Sequence, residues 1–142
     1  MEYLVKRGID SVRLSYNLPY LYSDSICYLA ANDQAYYLMD DTAFGHFQND
    51  FPEKKTPQKR YLYYGGNSKI VSENLAKIYV NKITTYKKSV NDFQDIYIST
   101  YKEAADFLVY AWVKSPEHFL NIVQPDFSIT GIASVFNEDD FH

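Results

Sequence analysis

Apolar residues recur at the spacing of an α-helix in three long stretches of the chain. The first covers about residues 4–14, and the second runs from a cap at Ser23 or Asp24 to about Met39. The third follows a capping box from Thr100 to Glu103, in which two side chains satisfy backbone N–H groups that a helix start leaves unpaired. Each pattern predicts an amphipathic helix with one face against a core.

Two shorter helices are predicted from their first residues. Thr56-Pro57 places a capping residue before a proline whose fixed φ suits the first helical position, and Gly65-Gly66 can end this helix. Ser115-Pro116-Glu117 repeats the cap and the proline and adds an acid, which the positive end of the helix dipole favours. His118 therefore falls in the first turn of the second short helix.

Two stretches alternate between apolar and polar residues, which is typical of strands. One covers Lys69 to Val80 and places Glu73 between two apolar neighbours on one face, and the other runs from Phe127 to Val135. If the face with Glu73 is covered, its carboxylate needs a partner, because an unpaired buried charge is very costly. Residues 81–95 are polar and poorly patterned, and no element is predicted there. Helices that alternate with two or three strands predict a mixed α/β domain.

The composition limits the classes of function. A chain of 142 residues is long enough for one domain with its own core. The net charge of −4 argues against nucleic-acid binding, which normally uses a concentrated basic face. The single cysteine, Cys27, excludes an internal disulfide framework, and its expected role is that of a small core residue. No apolar run approaches the roughly 20 residues of a membrane-spanning helix, so no transmembrane segment is predicted.

Three side chains carry the candidate chemistry. They are His46 in a loop, Glu73 in a predicted strand and His118 at a helix start. Two imidazoles and a carboxylate are a ligand set that suits zinc and related divalent cations, and three protein ligands leave one position open for water. The three residues are far apart in the sequence, so their spacing alone does not place them in one site.

Four segments of the chain resemble a known family and occur in its order. They are Gly45-His46, Thr56-Pro57-x-x-Arg60, Ser72-Glu73-Asn74-Leu75-Ala76, and Trp-x-x-Ser-Pro-x-His-x-x-Asn-Ile from Trp112 to Ile122, followed by Pro-x-Phe and Ile-x-Gly-Ile. Together they resemble the CAP superfamily (cysteine-rich secretory proteins, antigen 5 and pathogenesis-related 1 proteins) in its bacterial, SCP-like form.

The resemblance implies a fold and a site. The fold would be a three-layer α/β/α sandwich with a small, mostly antiparallel central sheet, formed by residues 1–142 as one domain. His46, Glu73 and His118 match positions of the family's cleft, where two histidines and acidic residues face one another, so zinc or another divalent cation is the expected ligand. Glu117 is a weaker candidate ligand. It either replaces the second acid, which is absent after Trp112, or faces solvent as a first-turn acid.

The resemblance also implies a location. The family is usually exported, so we expect a secreted or cell-envelope protein, although no signal peptide is visible after Met1. The family normally has a further strand after the one that is predicted to end near Phe136, and here the chain ends at His142 behind Glu138-Asp139-Asp140. We therefore expect either a shorter sheet or a missing C-terminal strand.

Two functions fit these residues. The first is a binding module whose cleft holds a divalent cation and a small or lipid-like ligand, or which contacts a protein partner. It is favoured because no serine or cysteine has a recognisable partner base, and Ser72 lacks the Gly-x-Ser-x-Gly turn of a nucleophile. The alternative is a metal-assisted hydrolase, a peptidase or esterase, in which Glu73 or Glu117 takes a proton from metal-bound water.

Overall fold

Five helices are the main elements of the part of the chain that the computed structural model describes, residues 1–40 and 43–137. They are α1 (Glu2–Ser15), α2 (Ser25–Asp40), α3 (Pro57–Tyr63), α4 (Tyr101–Lys114) and α5 (Pro116–Ile122). The five helices predicted from the sequence are confirmed, with ends that shift by a few residues at most. The acidic segment from Glu138 to His142, and with it the question of a missing final strand, lies outside the described residues.

The helix starts follow the capping signals of the sequence. Before α4, Thr100 Oγ1 accepts from the N–H of Glu103 at 3.1 Å, and Glu103 Oε2 accepts from the N–H of Thr100 at 3.0 Å, which completes the predicted capping box. Thr56 caps α3 with a bond of 3.2 Å to a first-turn N–H, and Asp24 caps α2 in the same way at 2.8 Å. These local bonds satisfy donors that have no partner inside the helix.

The core lies between α1, α4 and α5. Val5 and Ile9 of α1 pack with Leu108 and Trp112 of α4 and with Ile122 of α5 in one buried cluster. Burying each of these large side chains contributes roughly 1.5–3 kcal/mol. The apolar stripe that follows the capping box is therefore the surface that joins the three helices.

A buried arginine fastens the end of α1 to the end of α5. Arg13 is fully buried, and its guanidinium donates to the carbonyl oxygens of Pro19, Ile122, Gln124 and Phe127 at 2.8–3.1 Å. Burial lowers the pKa of Arg13, but an arginine stays charged at neutral pH. The carbonyls take the place of the water that this charge has lost, so the chain is fixed where it leaves α5.

Two small sheets, each of two strands, lie within the described ranges. Their strands are β1 (Tyr22–Ser23), β2 (Ile83–Ser89), β3 (Asp92–Tyr97) and β4 (Ile129–Thr130). β1 pairs with β4 in parallel, and β2 pairs with β3 as an antiparallel hairpin. The hairpin contacts α4 through Tyr86 and Phe107, whose ring centroids lie 5.0 Å apart in an edge-to-face arrangement. A mixed α/β fold with a small antiparallel sheet is confirmed.

The strand predictions are corrected at three places. The strand predicted over residues 69–80 is wrong, because this segment pairs with no other strand of the described chain. The strand predicted from Phe127 to Val135 is limited to Ile129–Thr130, and residues 81–95, where the pattern predicts no element, form most of the hairpin. An alternating sequence indicates that the two faces of a segment differ in exposure. A strand also needs a neighbouring backbone in register, and a local sequence pattern does not show whether one is present.

Strand β4 is followed by a residue that lies directly against α2. Thr130 O accepts from the N–H of Asp24 at 2.9 Å, which ties β4 to the residue before α2. A Cβ atom on Gly131 would lie 2.0 Å from the backbone nitrogen of Tyr28 and 2.2 Å from the carbonyl carbon of Cys27. Glycine is therefore required at this position by close approach of two backbones.

Candidate functional site

His46 lies in the loop between α2 and α3, and two buried glutamines hold this loop in place. Gln34 Nε2, on α2, donates to the carbonyl oxygen of Gly45 at 2.6 Å. Gln48 Nε2 donates to Gln34 Oε1 at 3.1 Å, and both glutamine side chains are fully buried. The bonds fall on either side of His46, so its backbone is tied to α2 although it belongs to no helix or strand.

Arg60 of α3 connects this loop to the segment that carries Glu73. Its Nη2 donates to both carboxylate oxygens of Glu73, at 2.9 Å and 2.7 Å. Its Nη1 donates to the carbonyl oxygens of His46 at 3.1 Å and Lys54 at 3.2 Å. Arg60 is fully buried and the Glu73 side chain is 13% exposed, so this is the partner that a covered carboxylate requires.

Glu73 also contacts the ring of His46 directly. His46 Nδ1 lies 2.9 Å from Glu73 Oε1, and the His46 side chain is 43% exposed. A carboxylate accepts hydrogen bonds, so in the neutral ring Nδ1 carries the hydrogen and Nε2 carries the lone pair. Both oxygens of Glu73 are engaged by protein groups, and the imidazole is the more exposed member of the pair.

His118 lies in the first turn of α5, as its sequence position predicts. Its Nδ1 is 2.8 Å from Ser115 Oγ, and its side chain is half-buried. The expectation that Ser115 caps α5 through its side chain is wrong, because that hydroxyl makes no capping bond to the backbone of the helix. Ser115 therefore orients the ring of His118 instead of completing the helix start.

Residues 73–75 reach three helices in succession. Glu73 binds Arg60 of α3, as described above. Asn74 Nδ2 donates to the carbonyl oxygen of His118 at 3.0 Å, and its Oδ1 accepts from Asn121 Nδ2 of α5 at 2.8 Å. The carbonyl oxygen of Leu75 accepts from the indole N–H of α4 at 3.2 Å. This segment needs no strand partner to be held, because side-chain bonds fix it at each residue.

The comparison with protein families agrees with this arrangement. A family model described as "CAP: Cysteine-rich secretory protein family" matches residues 7–142. The chain belongs to this family. No curated protein and no solved structure matches it. The resemblance that the four sequence segments carry is thereby confirmed, and the α/β fold class of the CAP domain with it.

The predicted metal ligands of the CAP domain are brought together only in part. Glu73 contacts His46, and Asn74 links the next residue of the same segment to the backbone of His118. Glu117 is exposed. Within residues 1–40 and 43–137, no group of three or more His, Cys, Asp and Glu side chains is placed to hold a metal ion. The ligand set of His46, Glu73 and His118, with Glu117 as the weaker candidate, stays a prediction.

Arg60 is the functional residue that the sequence analysis missed. In the sequence it is the last position of Thr56-Pro57-x-x-Arg60 and half of the basic pair Lys59-Arg60, which is typical of solvated loop charge. That interpretation is wrong for Arg60, which is fully buried against Glu73. A usable signal existed, since the chain contains only three arginines, and arginine is the cation best suited to bind a carboxylate through two oxygens. Gln34 and Gln48 carried no comparable signal, because buried amides are recognised only once their partners are known.

A large groove borders the segment that carries Glu73. Its volume is about 1220 Å³, and apolar side chains of α1, α2 and residues 67–82 line much of it. Glu73 and Asn74 belong to its lining, whereas His46 and His118 do not. The two residues are therefore shared by the groove and by the hydrogen bonds that hold the histidines.

The cysteine of the CAP domain is not placed as a nucleophile. Burial raises the pKa of the Cys27 thiol to about 12, and the hydrogen bond to Asp24 acts in the same direction. The thiolate is the reactive form, so this side chain is inert at neutral pH.

None of the helices in the described ranges has the length and apolar character of a membrane-spanning segment.

Proposed function

We propose that this CAP domain is an extracellular binding module in which the imidazole of His46 faces the ligand and His118 contributes the second imidazole. The observation that carries the proposal is the contact of Glu73 with both Arg60 and His46. A histidine that binds a metal ion through one ring nitrogen commonly donates a hydrogen bond from the other ring nitrogen to a carboxylate, which orients the ring. The family is generally extracellular, which supports a secreted or cell-envelope location.

A divalent cation such as zinc is the ion that two imidazoles favour. The ring nitrogens of His46 and His118 that do not face Glu73 and Ser115 would hold it. Glu73 fits an orienting role better than that of a ligand, because Arg60 already binds both of its oxygens. A bound cation would supply a Lewis-acid position for an oxygen atom of the ligand.

The groove supports a small or lipid-like ligand. At about 1220 Å³ it is larger than most pockets for small molecules, and its walls are largely apolar. A ligand with an apolar body and a polar end would lie with that end near Glu73 and Asn74, where the groove meets polar side chains. This orientation would place the polar end beside the residues that support the histidines.

The test of the proposed metal site compares two variants with the wild type. Each protein is incubated with zinc, separated from free metal, and analysed for zinc by mass spectrometry. We expect stoichiometric zinc in the wild type and its loss in the double variant His46→Ala/His118→Ala. Glu117→Gln is the matched control and should retain the metal. Equal zinc in the wild type and the double variant would contradict the proposal, and loss in Glu117→Gln would make that carboxylate a ligand.

The hydrolase alternative is the second candidate, and the hydrogen bonds of Glu73 weigh against it. It requires Glu73 or Glu117 to take a proton from metal-bound water, but the oxygens of Glu73 already accept hydrogen bonds from Arg60. The same proteins, loaded with zinc, test it on panels of peptide and ester substrates. Turnover in the wild type that disappears in the double histidine variant would establish hydrolysis.

A further inference from the structure

The ammonium group of Lys54 lies among aromatic rings. It is 2.9 Å from Asp33 Oδ2 and lies 4.9–5.9 Å from the ring centroids of Phe51, Tyr63 and Tyr64. The Lys54 side chain is 18% exposed and that of Asp33 is 17% exposed. The hydrogen bond to Asp33 is the main cause that raises the pKa of Lys54. Aromatic faces beside a carboxylate are the surroundings that ammonium groups prefer.

An open cleft of about 460 Å³ continues from this ion pair. Besides Lys54 and Asp33, it is lined by carboxylates and aromatic rings, namely Asp40, Asp50, Tyr36, Tyr37 and Phe51. Among the lining residues that the structure describes, three carboxylates against one ammonium give a formal charge of −2. Neither His46 nor Glu73 lines it, so this space is separate from the candidate site described above.

The walls of the cleft are held by contacts with one another. The Tyr37 hydroxyl donates to Asp50 Oδ2 at 3.2 Å, and the rings of Tyr37 and Phe51 meet edge to face with centroids 6.2 Å apart. Three carboxylates alone would be an ordinary solvated acidic surface. Here they border aromatic rings, and the neighbouring part of the same surface already surrounds an ammonium group.

We propose that this cleft binds an aliphatic diamine or polyamine, with its ammonium groups beside Asp40 and Asp50 and its chain against the rings of Tyr36, Tyr37 and Phe51. Two ammonium groups match the formal charge of the described lining, and methylene groups pack well on aromatic faces. Lys54 carries a charge of the same sign as the ligand, so it opposes binding. Its ammonium group also organises the cage formed by the rings of Phe51, Tyr63 and Tyr64 next to the cleft. The proposal does not depend on the function of the histidine site.

The experiment is a calorimetric titration with cadaverine as the probe. Pentylamine, which has one ammonium group, and 1,5-pentanediol, which has none, are the matched ligands. We expect cadaverine to bind more tightly than pentylamine, pentanediol not to bind, and the affinity for cadaverine to fall as salt is raised. Binding of pentanediol with the affinity of cadaverine would overturn the proposal, because recognition would then not involve the ammonium groups.

Two double variants that make the same change in charge at different places test the carboxylates of the cleft. Asp40→Asn/Asp50→Asn removes the two exposed carboxylates and should weaken cadaverine binding about tenfold. Asp92→Asn/Asp126→Asn makes the same change in charge at exposed positions outside the cleft and should leave the affinity within about twofold of the wild type.

Lys54→Met removes the opposing charge and should tighten cadaverine binding about threefold. A residue that merely supported the cleft would weaken binding when it is replaced. Circular dichroism establishes that each variant is folded, and the Asp40/Asp50 variant tests the site without altering the cage around Lys54. Equal affinities in the two double variants, or a folded Lys54→Met that binds no more tightly than the wild type, would overturn the proposal.

Discussion

Replacing Arg60 by methionine is the sharpest test of the network around His46. The substitution leaves Glu73 without the cation that binds both of its oxygens, in a place where its side chain is 13% exposed. Removing one partner of a buried ion pair costs about 3–5 kcal/mol of unfolding free energy, because the remaining charge is uncompensated. For a domain of this size we expect Tm to fall by about 10 °C. Urea unfolding, followed by the fluorescence of the single tryptophan, measures the loss of unfolding free energy.

A second substitution tests whether the unpaired charge of Glu73 causes this loss of unfolding free energy. In Arg60→Met/Glu73→Gln no unpaired charge remains, so we expect the double variant to be more stable than Arg60→Met alone. Arg7→Met is the control, because Arg7 is exposed on α1 and its replacement should change the unfolding free energy by less than about 0.5 kcal/mol. A loss below about 1 kcal/mol in Arg60→Met, or no recovery when Glu73 is neutralised, would refute the reasoning.

Three further predictions concern other contacts of the structure. Asn74→Ala should lower the unfolding free energy by about 1–3 kcal/mol in urea unfolding, because two groups of α5 lose their partner. Gly131→Ala should lower the unfolding free energy by more than about 4 kcal/mol or prevent folding, since its Cβ would overlap the backbone of α2. Gly45→Ala is the control, because no atom lies within 4 Å of the new Cβ, and it should express as a folded protein. Cys27 should react only slowly with a thiol reagent at pH 8, because little of it is thiolate, and faster as the pH approaches its pKa of about 12; a rapid reaction at pH 8 would contradict that value.

The helices were predictable because their signals are local. The capping box at Thr100 and the prolines at positions 57 and 116 fix helix starts through bonds and angles within one turn of the chain. The strands were not predictable in the same way. Residues 69–80 alternate as a strand does, but they are held by the three-helix contacts of residues 73–75 and not by a neighbouring strand.

The site was predictable only through the family. His46 and Glu73 are 27 positions apart and share no motif, so the 2.9 Å contact between them follows from the fold and not from spacing. The need of Glu73 for a partner was visible in the sequence, because its neighbours on the same face are apolar. The identity of that partner was not, since Arg60 approaches from a helix whose orientation depends on tertiary packing.

The contacts of residues 73–75 have a consequence for how the domain opens. One short segment is hydrogen-bonded to α3, α5 and α4 at consecutive residues, so these helices cannot separate from it independently. Native-state hydrogen–deuterium exchange should therefore find that amides of the three helices exchange through a shared opening event, with similar opening free energies. The chain around Glu73 would then set the cooperativity of the domain as well as the position of His46.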